Sequence, residues 1–298
     1  MKLSVTVLTS PGREKQLGRC LEMLRRQSWP WFEVIVIDDG SVGGKDLTAA
    51  FAGHLELRHL WRPNDGSPAR SRNLGAGLAR HDGLVFLDGD MLPNPLALEI
   101  YAEQLEAAPE AAVYGYTGNL GPPSLTSSLW FPEAKVMICD SRFCFRSATR
   151  LAYVRELESL PQNFAWSGSF ALRAELFNAV GGFDESFSGW GHEDMEFANR
   201  LAEHEIRIDF SLDAWSENQV HPQHWRRARE EGNQDRLPPF SPSAQPPRIS
   251  YHPGRSQLGR LLAEHYVPRM EQPPKSWEGA RDEGRGTRDE GKTGREEG

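Results

Sequence analysis

The stretch that most restricts the fold is an apolar run, Leu84–Leu87, which ends in Asp88-Gly89-Asp90. Four consecutive apolar residues of this kind indicate a buried strand. Gly89 lets the backbone turn and places no side chain between the two acids, so both carboxylates can converge beyond the carboxyl end of the strand. Such a pair favours a hard divalent cation, which also binds phosphate oxygens. A plain hairpin turn is the alternative, because Asp-Gly is a common turn signal.

Strand and helix patterns alternate along the N-terminal part of the chain. The predicted strands lie near residues 3–7, 32–37, 55–61, 84–87 and 111–114, and the predicted helices near 17–24, 45–53, 68–80 and 95–108. This βαβ spacing predicts an α/β fold with a mostly parallel, doubly wound sheet flanked by helices. In such sheets, ligands bind at the carboxyl ends of the strands.

The later part of the chain has a looser pattern. We predict a Pro-, Ser- and Gly-rich loop over 119–135, and weak helical periodicity near 148–160. A strand at 166–173, a helix at 174–180 and a helix beginning near 193 follow. The predicted divisions are 1–118, 119–236 as the second half of the same domain, an extension over 237–271 with a short helix, and a tail over 272–298. The tail is almost free of hydrophobic residues, so we expect it to be disordered.

The composition and charge of the chain argue against several classes of protein. The net charge of −8 over 298 residues argues against general binding to nucleic-acid backbones. The three cysteines have no CxxC or zinc-ligand spacing, so we expect reduced thiols in a cytoplasmic protein. No signal peptide or transmembrane segment is expected. One amphipathic segment, Leu258–Tyr266, could contact a bilayer surface, but an ordinary packed helix is the more common explanation of such a segment.

A second acidic pair, Asp38-Asp39, follows the predicted strand at 32–37. Acids before Gly-Ser are ordinary turn residues, but a carboxylate at this edge also suits the N3–H group of uracil. Arg70 and Arg72 lie on the predicted helix between the two acid-tipped strands. They are either solvated surface charges or cations that face a phosphate or an acid in the pocket.

A glycine-flanked loop precedes the helix that begins near residue 193. Glu193 and Asp194 suit the first turn of a helix, where the macrodipole favours acids. That explanation does not account for Trp190 between two glycines, because an exposed tryptophan is costly unless it stacks on a partner such as a sugar ring. An acid beside the tryptophan can serve as a general base.

Two histidines follow a predicted strand near the end of the second half. His221 is either a packed or solvated side chain, or a neutral imidazole that completes a metal site begun by Asp90. His224 is the weaker candidate for that role.

In order and spacing, these motifs resemble those of a family 2 glycosyltransferase with a GT-A, nucleotide-diphospho-sugar-binding fold. The N-terminal motifs are Val36-Ile37-Asp38-Asp39-Gly40-Ser41, Arg70-Ser71-Arg72-Asn73-Leu74-Gly75 and Asp88-Gly89-Asp90. The later motifs are Trp166-Ser167-Gly168-Ser169, Gly181-Gly182-Phe183-Asp184 and Gly189–Phe197. They resemble a galactosyltransferase-type region shared by β-1,4-galactosyltransferases, polypeptide N-acetylgalactosaminyltransferases and chondroitin-polymerase-like enzymes. The resemblance covers residues 3–235.

The resemblance implies metal-dependent transfer of a hexose or N-acetylhexosamine from a UDP-sugar to a saccharide, glycolipid or peptide acceptor. The first half would bind the donor and the second half the acceptor. The nucleotide and donor residues it implies are Thr9, Asp39 (or Asp38), Arg72 (or Arg70), Asp88 and Gly89. The implied ligands of Mn²⁺ or Mg²⁺ are Asp90 and His221, with Asp88 as a further candidate.

The resemblance also assigns the loop residues: Trp190 and Glu193 would hold the sugars, and Asp194 would be the general base. The order Trp-Gly-x-Glu-Asp matches the inverting galactosyltransferases, so we expect inversion. Thr9–Arg13 lacks the family's aromatic-asparagine pair, and Met91 stands where many members have a third acid. A non-catalytic nucleotide-sugar-binding module and a nucleotidyltransferase remain the alternatives. The latter needs a lysine-bearing phosphate loop, which Ser10–Lys15 matches poorly.

Overall fold

The computed structural model describes residues 1–118, 125–147, 150–189, 191–220, 233–240, 242–255 and 257–262. Trp190, His221, His224 and the predicted tail at 272–298 lie outside these residues. Within the described part of the chain, no helix has the length and apolar character to cross a membrane.

The strands, in chain order, are β1 Leu3–Thr9, β2 Phe32–Asp39, β3 Leu57–Arg62, β4 Gly83–Asp88, β5 Met91–Pro93, β6 Ala111–Thr117, β7 Leu125–Ser127, β8 Lys135–Met137, β9 Phe143–Ser147, β10 Arg150–Tyr153, β11 Ser169–Arg173, β12 Arg207–Gln219 and β13 Ile249–Ser250. The helices are α1 Glu14–Arg25, α2 Gly44–Ala49, α3 Pro68–Gly77, α4 Ala97–Ala107, α5 Ala174–Ala179, α6 Glu193–Glu203 and α7 Leu258–Leu261. Short 3₁₀ helices cover Arg155–Glu158 and Pro161–Phe164.

One large sheet has the strand order β3-β2-β1-β4-β11-β6-β12-β8-β7. Strands β1 to β4 pair with one another in parallel, which confirms the predicted α/β architecture for the first half. Strands β6 and β12 are also parallel to each other. Antiparallel strands are inserted into this frame, since β11 runs antiparallel between β4 and β6, and β12 is antiparallel to β5 and β8, so the sheet is mixed.

The core explains why the first elements form where the sequence predicts them. Residues Val34–Ile37 of β2 are all buried, as expected for a strand covered on both faces. Helix α1 buries Leu17, Cys20, Leu21 and Leu24 on one face, so Cys20 is a core residue. Across the sheet, Phe170 of β11 stacks on Phe86 and Tyr114, with ring centroids 4.8 and 4.9 Å apart. These stacked rings tie β4, β11 and β6 together.

The weak helical periodicity near 148–160 led to a wrong prediction. Strands β9 and β10 pair antiparallel in this region, and the two 3₁₀ helices follow. Leu151, Ala152 and Tyr153 are consecutive and all buried, as in a strand that is covered on both faces. A continuous buried run of this kind shows no helical period.

Three strand ends meet near the Asp88-Gly89-Asp90 turn. The backbone N–H of Gly89 donates to the carbonyl of Leu8 at 2.7 Å, and a Cβ on Gly89 would lie 2.6 Å from that oxygen. Only glycine therefore permits this close approach of β4 to β1. The N–H of Gln219, the last residue of β12, donates to the carbonyl of Asp90 at 2.9 Å. The end of β12 thus reaches the same edge.

Candidate active site

The two acids of the Asp-Gly-Asp turn each contact an arginine. Asp90 is buried and accepts a hydrogen bond from Nη1 of Arg13 at 3.0 Å. Asp88 accepts from Nη2 of Arg72 at 3.2 Å. Burial raises the pKa of Asp88, the guanidinium of Arg72 opposes that shift, and the charge of Asp90 adds to it. The sequence alone assigns no role to Arg13. Its position just after β1, beside two strands that end in acids, is the signal that could have identified it.

Arg72 connects the two halves of the chain. Its side chain is 4% exposed, and Nη1 donates to Oε1 of Glu193 at 2.9 Å while Nη2 contacts Asp88. Its guanidinium also lies over the ring of Phe183, 5.2 Å from the centroid. Arg72 therefore joins the first acid of the turn to the first acid of α6. A charge-assisted contact of this kind, held in a buried site, fixes geometry well.

Arg70 has a different environment from Arg72. Its side chain is 47% exposed, and it forms ion pairs with Asp65 and Glu185. The side chains of both partners are partly exposed as well, at 31% for Asp65 and 45% for Glu185. Of the two arginines that the sequence left open, Arg72 is the one that contacts candidate site residues.

Asp194 has a perturbed carboxyl group. Burial raises the pKa of Asp194 to about 7, and the negative charge of Glu193 adds to the shift. Arg72 and the backbone N–H groups of Met195 and Ser167 oppose it. A carboxyl group that titrates near neutral pH is well matched to accept a proton from a substrate hydroxyl.

The two acids at the end of β2 have separate surroundings. Asp38 is fully buried and accepts hydrogen bonds from the N–H and hydroxyl of Ser41 at 2.8 and 2.6 Å, and it contacts Nε2 of His59 at 3.0 Å. Asp39 pairs with Arg62 at 2.8 Å, and its side chain is 13% exposed. Burial raises the pKa of Asp39 to about 6, which Arg62 opposes. Asp38 thus stabilises the turn, and Asp39 is the acid nearer to solvent.

Two further residues line the same edge. Thr9, at the end of β1, is buried, and its hydroxyl has no hydrogen-bond partner among the described residues. The carbonyl of Gly168 accepts the N–H of Asp88 at 3.0 Å, and a Cβ on Gly168 would lie 3.9 Å from Oδ2 of Asp88. The segment before β11 therefore lies directly against the acidic turn.

Asp88 and Asp90 are the described residues that suit a divalent cation at this edge. Across the described ranges, no group of three or more His, Cys, Asp or Glu side chains is arranged to hold a metal ion. Mg²⁺ and similar ions are nevertheless commonly held by one or two carboxylates, with substrate phosphates completing the shell. The two acids of the turn therefore fit a cation that binds together with a diphosphate.

Comparison with known sequences identifies the family. Residues 6–149 match the family described as glycosyl transferase family 2, and residues 158–224 match the one described as N-terminal domain of galactosyltransferase. The chain contains a glycosyl transferase family 2 domain over residues 6–149. The resemblance seen in the motifs is thus confirmed, including its galactosyltransferase-type second region.

Curated relatives carry glycosyltransferase names. A validoxylamine A glucosyltransferase from Streptomyces hygroscopicus subsp. limoneus is 32% identical over 229 residues, which are 72% of this chain and 50% of that protein. A hyaluronan synthase from Pasteurella multocida is 33% identical over 219 residues, which are 65% of this chain and 22% of the synthase. The chain spans half or less of the length of these two relatives.

The fold also matches a solved structure. S. aureus TarS 1-349, crystallised in complex with UDP-GlcNAc, superimposes with a TM-score of 0.56 at 20% identity. The match covers 76% of this chain and 61% of that one. At this identity the likeness shows the fold, which is the GT-A nucleotide-diphospho-sugar transferase fold expected from the motifs.

Proposed function

We propose that this protein is a metal-dependent glycosyltransferase that moves a hexose or N-acetylhexosamine from a UDP-sugar to an acceptor hydroxyl with inversion. The observation that carries the proposal is the bridge made by Arg72, which bonds Asp88 of the acidic turn and Glu193 beside Asp194. This bridge places Asp88, which is proposed to face the donor, in the same site as Asp194, whose pKa is raised.

UDP is the nucleotide that the site favours. TarS binds UDP-GlcNAc on the same fold, and Asp39 offers a carboxylate at the sheet edge that can accept the N3–H of uracil. The hydroxyl of Thr9, which lacks a described partner, supplies a further polar contact for the nucleotide.

Asp90 and His221 are the proposed ligands of Mn²⁺ or Mg²⁺, with Asp88 as a third candidate. When bound, the cation would act as a Lewis acid that stabilises the departing UDP. His221 lies outside the described residues. The contact of Gln219, two residues earlier in the chain, with the carbonyl of Asp90 supports its assignment.

Asp194 is the proposed general base. It takes the proton of the acceptor hydroxyl, and the acceptor oxygen attacks the anomeric carbon on the face opposite UDP, which inverts that centre. Glu193 is fixed by Arg72 and is proposed to hold sugar hydroxyls, together with Trp190, which lies outside the described residues. Because Arg72 bonds Glu193, Asp194 is the acid of the pair left to accept a proton.

Calorimetric titration with UDP, GDP and dTDP, each with Mn²⁺ and with EDTA, tests this function. We expect selective UDP binding that requires Mn²⁺, followed by slow hydrolysis of a UDP-sugar by the purified protein. Metal-dependent binding without any donor hydrolysis would indicate a non-catalytic binding module. Binding of none of the three nucleotides would contradict the proposal.

Asp39→Asn is expected to change base preference. A carboxylate accepts the N3–H of uracil, whereas an amide can also donate to the N3 acceptor of cytosine, so the UDP-to-CDP affinity ratio should fall roughly tenfold. In the wild type, UDP affinity should fall as pH decreases through about 6, because Asp39 becomes protonated there. Titration calorimetry between pH 5 and pH 8 measures both effects.

Asp38→Asn is the matched control for Asp39→Asn. Asp38 accepts hydrogen bonds within its own turn, so its replacement should lower the melting temperature without altering the UDP-to-CDP ratio among the molecules that remain folded. A change of base preference in Asp38→Asn and none in Asp39→Asn would exchange the two assignments.

A further inference from the structure

His192 has a backbone conformation that glycine adopts freely and other residues avoid. Its φ is 72°, in the left-handed region, and it directly precedes α6. Gly189 and Gly191 in the same loop have φ of 83° and 98°. The chain thus uses glycine at two left-handed positions of this loop and places an imidazole at a third.

The side chain of His192 does not compensate for this strain within the protein. His192 occupies the N-cap position of α6 but makes no side-chain hydrogen bond to the helix. Both ring nitrogens are enclosed, and neither has a hydrogen-bond partner in the part of the chain that the structure describes. An enclosed polar group without a partner is itself unfavourable. His192 therefore lowers the stability of the fold both through its backbone conformation and through its ring.

Glu193, the next residue, shows a related feature. Its side chain is 6% exposed, and Oε1 accepts the hydrogen bond from Arg72. The other oxygen, Oε2, is enclosed and has no partner among the described groups. Two consecutive residues therefore carry unused hydrogen-bonding atoms immediately before Asp194. Local rules are broken most often at functional sites, where a ligand supplies the missing partner.

We infer that the ring of His192 and Oε2 of Glu193 together bind one hydroxyl group of the donor sugar. A hydroxyl donates one hydrogen bond and accepts others, so it can donate to Oε2 and accept from an imidazole N–H. The negative charge of Glu193 disfavours a phosphate group at this point. The bridge from Glu193 through Arg72 to Asp88 places the pair on the donor side. The inference rests on the proposed function and adds a sugar-specific residue, His192, to it.

His192→Gly is the decisive variant, with Glu205→Gly as its matched control. Glu205 is also a non-glycine residue with positive φ, 58°, but it lies after the other end of α6. In both variants, the melting temperature should stay equal to the wild type or rise by up to about 3 °C, because strain is relieved. His192→Asn tolerates the left-handed backbone and keeps a donor, so its binding should be intermediate.

The binding readout compares UDP with UDP-glucose and UDP-GlcNAc, each titrated with Mn²⁺. We expect His192→Gly to bind UDP with wild-type affinity and both UDP-sugars roughly tenfold more weakly, with an equal fall in kcat/KM for donor hydrolysis. Glu205→Gly should match the wild type in every titration. The hydrolysis assay needs no acceptor, because water takes that place.

Four outcomes overturn the inference. If His192→Gly retains wild-type affinity for both UDP-sugars, the ring does not contact the sugar. If the variant binds UDP and the UDP-sugars equally weakly, the substitution disturbs the site as a whole. A melting temperature several degrees lower shows that the ring packs as a structural residue. A wild-type protein that binds UDP but none of the UDP-sugars contradicts the proposed function as well, and is thereby distinguished from failure at His192 alone.

Discussion

Asp194→Asn is expected to bind UDP with wild-type affinity and to lose sugar transfer. The amide has nearly the shape of the carboxyl group but cannot take a proton from the acceptor, and a positioned general base contributes roughly 10²- to 10⁴-fold to the rate. We therefore expect kcat for donor turnover to fall by about that factor. Release of UDP in a coupled assay measures turnover, and calorimetry with Mn²⁺ measures UDP affinity.

The control for this variant is Glu203→Gln, an acid at the far end of α6. It lies outside the acidic site and contacts Asn199, so turnover should match the wild type. Full turnover in Asp194→Asn would remove Asp194 from the role of base. Loss of UDP affinity together with turnover would instead indicate that the substitution disturbs the Arg72 bridge.

The raised pKa of Asp194 also predicts a dependence of stability on pH. The folded state favours the protonated carboxyl, so its contribution is fully present below the ordinary pKa of 3.8 and is lost as pH rises through about 7. Asp194→Asn mimics the protonated form. Its melting temperature should therefore equal that of the wild type near pH 4 and exceed it above pH 7, which thermal scans across this range can test.

The sequence correctly predicts which strands end in acidic residues. Buried apolar runs predict β2 and β4, and the acids that follow them meet at one edge because parallel strands all end there. The same reasoning does not separate Asp38 from Asp39, since both follow the same strand. Their difference depends on the contacts that Asp38 makes with Ser41 in the folded turn and with His59 on the neighbouring strand β3.

Long-range contacts explain most of what the sequence leaves open. Arg72 and Glu193 are 121 residues apart, and no local pattern indicates that one guanidinium bonds both Glu193 and Asp88. The mixed character of the sheet has the same origin. The apolar pattern of β11 predicts a strand, but its antiparallel place between β4 and β6 depends on contacts such as the stack of Phe170 on Phe86 and Tyr114.

Asp90→Ala is expected to abolish the metal dependence of UDP binding. In the wild type, Mn²⁺ should raise UDP affinity and the melting temperature together, because a ligand that binds only the folded state stabilises it. Without the Asp90 carboxylate, the affinity with Mn²⁺ should fall at least about tenfold, to the value measured with EDTA. Asp46→Ala, which removes an exposed acid on α2, should retain the full effect of Mn²⁺.

The contact between Arg13 and Asp90 allows two explanations for the effect of Asp90→Ala, and the experiment distinguishes them. Its guanidinium bonds Asp90 at 3.0 Å, so the carboxylate can act either by holding a cation or by fixing Arg13 beside the diphosphate. If Asp90 holds the cation, Asp90→Ala and the wild type bind UDP equally in EDTA and differ only with Mn²⁺. If Asp90 acts through Arg13, the variant binds UDP more weakly in EDTA as well, and Arg13→Gln reproduces that loss. Equal affinities under both conditions would contradict the assignment of Asp90 to the donor site.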